Sequence, residues 1–87
     1  MKIKIEPHTL ERAEERGTNL KEIMDTILTG FPIKAKYGRL GKAKIYPYNQ
    51  MRAKKFYEQK RVEVIYTVEG ENIITVTVYV FYGKWEN

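Results

Sequence analysis

The 87-residue chain has no cysteine and no serine, and only one histidine, one tryptophan and one aspartate. Each scarcity closes off a chemistry. Without Cys there are no disulfides, thiolate metal sites or Cys nucleophiles, which fits a reducing compartment. Without Ser there is no Ser-His-Asp arrangement. One His and no Cys cannot build a zinc cluster. The glycines form neither G-x-G-x-x-G nor a Walker A loop, so no metal and no cofactor is expected. No apolar run approaches the ~18 residues of a membrane span, and "MKIKIEPH" lacks the apolar stretch of a signal peptide. The expectation is a cytoplasmic protein with no membrane partner, folded as one domain over residues 1–87 with a modest core.

What is plentiful is positive charge, and it is unevenly spread. The formal net charge is +5. Residues 34–61 hold Lys34, Lys36, Arg39, Lys42, Lys44, Arg52, Lys54, Lys55, Lys60 and Arg61 against Glu58 alone, while the flanking thirds are both slightly acidic. Tyr37, Tyr46, Tyr48, Phe56 and Tyr57 are interleaved with these cations. Cations with aromatics suit a surface that attracts phosphates and stacks on bases. Lys along an edge strand also blocks aggregation, but ten positive charges to one negative exceed what edge protection needs. Lys34, Lys36, Lys42, Lys44, Arg52, Lys54 and Lys55 are therefore the expected RNA-binding residues.

The element pattern is β-α-α-β-β-β-β. "KIKIE" alternates as a short strand. Pro7 opens a helix and Gly17 closes it. On that helix Leu10, Ala13 and Gly17 oppose a stripe of His8, Arg12 and Arg16. Asn19 and Glu22 have the spacing of a capping box for a second helix, whose expected buried face is Leu20, Ile23, Met24, Ile27 and Leu28, ending at Gly30. "PIKAKYG" and "GKAKIYPY" read as strands joined near Gly38–Gly41, residues 49–60 as either loop or strand start, and "RVEVIYTV" and "NIITVTVYVFY" as strands around an "EGEN" turn. The expected fold is α+β, with two N-terminal helices packed on a twisted, mainly antiparallel sheet of about four to five strands.

Positive groups at i and i+4 repel on a helix, so the His8/Arg12/Arg16 stripe needs a reason. An anion held between the arginines supplies one, with His8 as the lone imidazole able to act as a general base. A surface ion-pair lattice is the alternative: Arg12 can reach Glu15, and Glu11 can reach His8. Alternation in the last strand puts Ile74, Val76, Val78, Val80 and Tyr82 on a core face. The other face then holds Thr75, Thr77, Tyr79 and Phe81, with the hydroxyls lining a groove together. The parts match metal-free acid–base work on a phosphodiester: a base for the ribose 2′-OH, cations for the phosphate, and a hydrogen-bond donor for the leaving oxygen.

"PHTLERAEERGTNLKEIMDTILTG" resembles the N-terminal signature of a family of small prokaryotic proteins. In these a His-x3-Arg-x3-Arg-Gly helix precedes a second helix and a sheet ending in a Thr-Val-Tyr-like strand. That family is grouped with the barnase–EndoU–colicin–RelE superfamily of metal-independent ribonuclease toxins, relatives of RelE and ParE. The resemblance implies an endoribonuclease toxin of a toxin–antitoxin pair, acting on RNA, on or off the ribosome, and partnered by an acidic antitoxin. His8, Arg12 and Arg16 match the family's helix, and Thr75 or Thr77 its last strand, with Tyr79 as a further donor. One departure is that Lys84 is the sole cation after Arg61, where RelE-type enzymes carry more. The alternative is a protein of the same fold that binds RNA, ribosome or gyrase without cutting, since shared fold does not settle activity.

Overall fold

A computed structural model describes residues 1–85. Its elements are β1 (Lys2–Lys4), α1 (Pro7–Arg16), α2 (Leu20–Thr29), β2 (Phe31–Ile33), β3 (Leu40–Arg52), β4 (Lys55–Glu69) and β5 (Asn72–Gly83). The five strands form one sheet in the order β1-β5-β4-β3-β2. β1 lies parallel to β5, and every other pair is antiparallel. Both helices pack on one face of this sheet, α1 on β5 and α2 on β3 and β4. The fold is α+β in the expected element order.

Local chemistry explains the helix ends. Pro7 starts α1, where its missing N–H is no loss. Gly17 closes it in the left-handed region at φ 93°. A side chain there would also collide with the Tyr82 hydroxyl. In α2 the Asn19 side chain accepts from the Glu22 N–H at 2.9 Å. The reciprocal half of the capping box does not form. The Glu22 carboxylate instead accepts from Thr18 Oγ1 at 2.8 Å and pairs with Lys60 at 2.7 Å.

The core lies between the helices and the sheet and is built on Ala13, Ile23, Ile27, Val62, Val64 and Val78. Ile3, Ile5, Tyr46, Ile73 and Val80 pack around it. Burying a valine fully is worth about 1.5–3 kcal/mol, so the three valines anchor the helices to the sheet. The buried face of α2 is narrower than expected: Ile23, Thr26 and Ile27 are covered, whereas Leu20 and Leu28 are exposed. On α1 the covered residues are Thr9 and Ala13, and Leu10 is exposed.

Residues 49–60 turn out to be strand. β3 and β4 form a long hairpin with a bulge between Pro47 and Gln50, turning through Ala53 and Lys54, both at positive φ. The segment after Gly30 is strand only to Ile33, and residues 34–39 form a loop. β5 carries an irregularity that reverses part of its alternation. Ile65 pairs with Thr77 and Tyr66 with Thr75, leaving Val76 as an extra residue. Thr75 therefore turns towards α1 and is buried, donating to Thr9 Oγ1 at 2.9 Å and accepting from the Glu6 N–H at 3.0 Å. It belongs to the helix packing and does not share a groove with Thr77 and Tyr79.

Candidate nucleic-acid interface

β1 pairs with β5 only over residues 72–74, so the rest of that β5 edge lacks a neighbouring strand. α1 lies along it, and Arg16 closes it. Its Nη1 donates to the Val78 carbonyl at 2.6 Å, and its guanidinium carbon stands 5.1 Å from the Tyr79 ring centre. Arg16 thus reaches past the strand edge from the helix side to a ring on the opposite face. Paired residues share a face, so the open face can be read in rows. One row is Ile33, Gly41, Ile65 and Thr77; the next is Phe31, Ala43, Glu63 and Tyr79; a third brings Ile45, Arg61 and Phe81 together.

This open face is rich in rings. Phe31, Tyr79 and Phe81 are each more than two-fifths exposed. The Tyr79 and Phe81 ring centres are 6.4 Å apart with planes at 28°, and the Arg61 guanidinium sits 5.2 Å from the centre of Phe31 while pairing with Glu63 at 2.8 Å. Over the first row hangs the 34–39 loop. It encloses a cleft of about 330 Å³, lined by Lys34, Lys36, Tyr37, Arg39, Thr77 and Tyr79 among others. That volume is at the small end of ligand pockets.

The expected RNA-binding residues divide into three groups. Lys34 and Lys36 rim the cleft, with Arg39, which also stacks on Tyr37. Lys54 and Lys55 are exposed at the tip of the β3–β4 hairpin. The others serve the helix-covered face. Lys44 binds Asp25 and Thr29, each at 2.7 Å, and half-buried Lys42 shares its face. Arg52 donates to the Glu15 carbonyl at 3.2 Å and stacks on Tyr82 at 4.7 Å. Lys60 donates to the Gly17 carbonyl at 2.9 Å, and the Tyr82 hydroxyl to that of Arg16 at 2.7 Å. Three orphan carbonyls at the end of α1 are thereby satisfied by sheet side chains. Burial raises the Tyr82 phenol above its usual value, in keeping with this structural use.

The expected catalytic set is only partly assembled. Arg16 meets Tyr79 at the β5 edge, and Tyr79 and Thr77 line the cleft. Arg12 takes the ion-pair alternative and binds Glu15 at 3.0 Å. His8 is exposed, and among the described residues no side-chain hydrogen bond or ion pair engages it. It stands two turns before Arg16, about 12 Å along the axis at 1.5 Å per residue. Trp85, at the end of the described chain, donates its backbone N–H to Gln59 at 2.6 Å. The sequence expectation leaves out Phe31, and reaches Arg61 only as one cation of the 34–61 stretch and Phe81 only as a residue on the non-core face of the last strand. The signal for Phe81 was its place beside Thr77 and Tyr79 on the non-core face of the last strand; Phe31 and Arg61 required the strand order.

Comparison of the chain with protein-family models, with curated proteins and with solved structures finds no match. Among the described residues no group of His, Asp and Glu has the arrangement of a metal site, and no helix is long and apolar enough to cross a membrane.

Proposed function

We propose that this protein acts on RNA as a metal-independent endoribonuclease, of the toxin type that its N-terminal helix resembles. The observation that carries the reading is Arg16 lying between the β5 edge and Tyr79, beside a cleft rimmed by Lys34, Lys36 and Arg39. A phosphate at that edge would accept from the guanidinium N–H groups left over after one is used on the Val78 carbonyl. Thr77 and Tyr79 supply hydroxyl donors for the leaving oxygen. Arg12 joins the clamp by leaving Glu15, an exposed pair worth about 0–1 kcal/mol. His8, one turn before Arg12 on the same stripe, takes the proton from the attacking 2′-OH. A cytoplasmic location and an acidic antitoxin partner belong to the same reading.

A second reading, an RNA- or ribosome-binding protein that does not cut, is favoured by the separation of His8 from the Arg16–Tyr79 contact. The two are separated by comparing wild type with His8→Ala for both cleavage and binding. A general base contributes about 10²- to 10⁴-fold in rate, whereas one imidazole adds little to a phosphate-dominated affinity. Product formation should fall by that factor with RNA affinity unchanged. Equal cleavage by both proteins removes His8 from the mechanism. Binding without cleavage by either, with ribosomes supplied, establishes the second reading.

A further inference from the structure

We infer that the open face of the sheet is a base-stacking platform for single-stranded RNA, with Phe81, Tyr79 and Phe31 as its rings and Arg61 and Arg16 as its cations. This rests on the proposal that the protein acts on RNA and specifies which form of RNA it takes. Large apolar rings are ordinarily buried, and three of them half-exposed on one uncovered sheet face need a partner. Charge identifies that partner's chemistry. Arg61 lies against Phe31 and directly opposite Phe81, and Arg16 lies against Tyr79, so each ring has a guanidinium at its side. Glu63, the carboxylate in this patch, is already bound by Arg61. Lys34, Lys36 and Arg39 border the same face through their loop.

Rings and guanidinium planes both accept a stacked base, and the cations meet the phosphates between bases. A protein partner would meet rings flanked by Arg16, Lys34, Lys36 and Arg39, which have no carboxylate partner among the described residues. A duplex cannot use the platform, because its base faces are stacked on one another and only backbone and groove edges are presented. Tyr79 and Phe81, two residues apart on one strand with ring centres 6.4 Å apart and planes at 28°, offer adjacent seats to successive splayed bases. The cleft under the 34–39 loop then receives the chain beyond Tyr79.

The test uses 2′-O-methyl oligouridine, which cannot be cut through its 2′ oxygen, a duplex RNA of equal length, and inorganic polyphosphate. Binding is read by fluorescence anisotropy for wild type, Phe81→Leu, Phe31→Leu and Phe81→Trp. Leu keeps apolar bulk without a π-face, so the fold, checked by circular dichroism, is retained. The inference expects the single strand to bind at least about 10-fold more tightly than the duplex. Each Leu variant should lose roughly 10-fold for the single strand alone, and Phe81→Trp should match or exceed wild type. Single-strand affinity that ignores Phe81→Leu and Phe31→Leu, or losses equal for single strand, duplex and polyphosphate, overturns the platform while leaving action on RNA intact. Failure to bind either RNA overturns both.

Discussion

On the helix-covered face of the sheet, Lys44, Lys60 and Arg52 each end on an oxygen of α1 or α2. On the open face, Arg61 and Arg16 end against exposed rings, and the loop cations border a cleft. Apart from Arg16 of α1, both faces draw on the same basic middle of the chain. On the covered face the ammonium or guanidinium replaces water for a carboxylate or a helix carbonyl, and at the well-buried Lys60–Glu22 pair withdrawing one partner would strand a charge that has lost most of its solvation. On the open face Arg61 also pairs with Glu63 and Arg16 with the Val78 carbonyl, so an arriving phosphate meets the N–H groups these contacts leave over and the loop cations Lys34, Lys36 and Arg39. Net charge therefore overstates the surface available to an anionic ligand.

The largest effect separating the faces should come from Glu22. Its pair with Lys60 leaves side chains only 20% and 11% exposed. Glu22→Ala leaves an almost buried ammonium with the Gly17 carbonyl and little else, which should lower stability by about 2–4 kcal/mol in urea titration. Glu22→Leu with Lys60→Met, replacing both charges by apolar groups, should recover much of that loss. Phe81→Leu on the open face should cost less than about 1 kcal/mol. Comparable losses for Glu22→Ala and Phe81→Leu would erase the structural distinction between the faces.

The next effect is on RNA binding. Single-stranded nucleic acid gives a log–log salt slope of about 0.7 per neutralised phosphate. Removing Lys34, Lys36 and Arg39 together should flatten the slope by about 2, whereas Lys44→Ala should leave it unchanged because Lys44 is bound to Asp25. A slope that responds equally to Lys44 would mean that the covered face also meets RNA.

Elements with strong local signals were legible in the sequence. Pro7, Gly17 and Gly30 bound the helices, and the Val- and Thr-rich runs became β4 and β5. What sequence could not give was long-range. Alternation assigns Thr75 and Thr77 to one face, but the extra residue Val76 puts Thr75 under α1. Lys44 and Lys60 look like their neighbours Lys34 and Lys54 in the chain. Only the packing of α2 over β3 and β4 brings Asp25 and Glu22 to the first pair. Of the candidate site, Arg16, Tyr79 and the loop lysines were legible from spacing and charge; the ring partners Phe31 and Arg61 were not, because they come from strands far apart in sequence.

The smallest expected effect is the pH response of the covered face at Asp25 and Tyr46. The Tyr46 hydroxyl donates to Asp25 Oδ2 at 2.5 Å, and Lys44 binds the same oxygen. The Lys44 hydrogen bond, with help from Tyr46, holds the Asp25 carboxyl down at about 2. Burial first, then the Asp25 carboxylate, pushes the Tyr46 phenol up to about 12. For Asp25 the folded state binds fewer protons than the unfolded one between about pH 4 and pH 2. Its contribution is therefore complete above about pH 4 and is lost as pH falls through that window. For Tyr46 the folded state keeps a proton that the unfolded state releases above about pH 10, so stability declines as pH rises from about 10 to 12. With Asp25 more than a third exposed, solvent screens the acid limb, and it should be shallow. Urea midpoints at pH 2.5, 7 and 11 check this: Asp25→Asn should lose less than wild type on acidification, and Tyr46→Phe less at the alkaline end. If Asp25→Asn tracks wild type through the acid range, the Lys44–Asp25 pair contributes no proton-linked stability there.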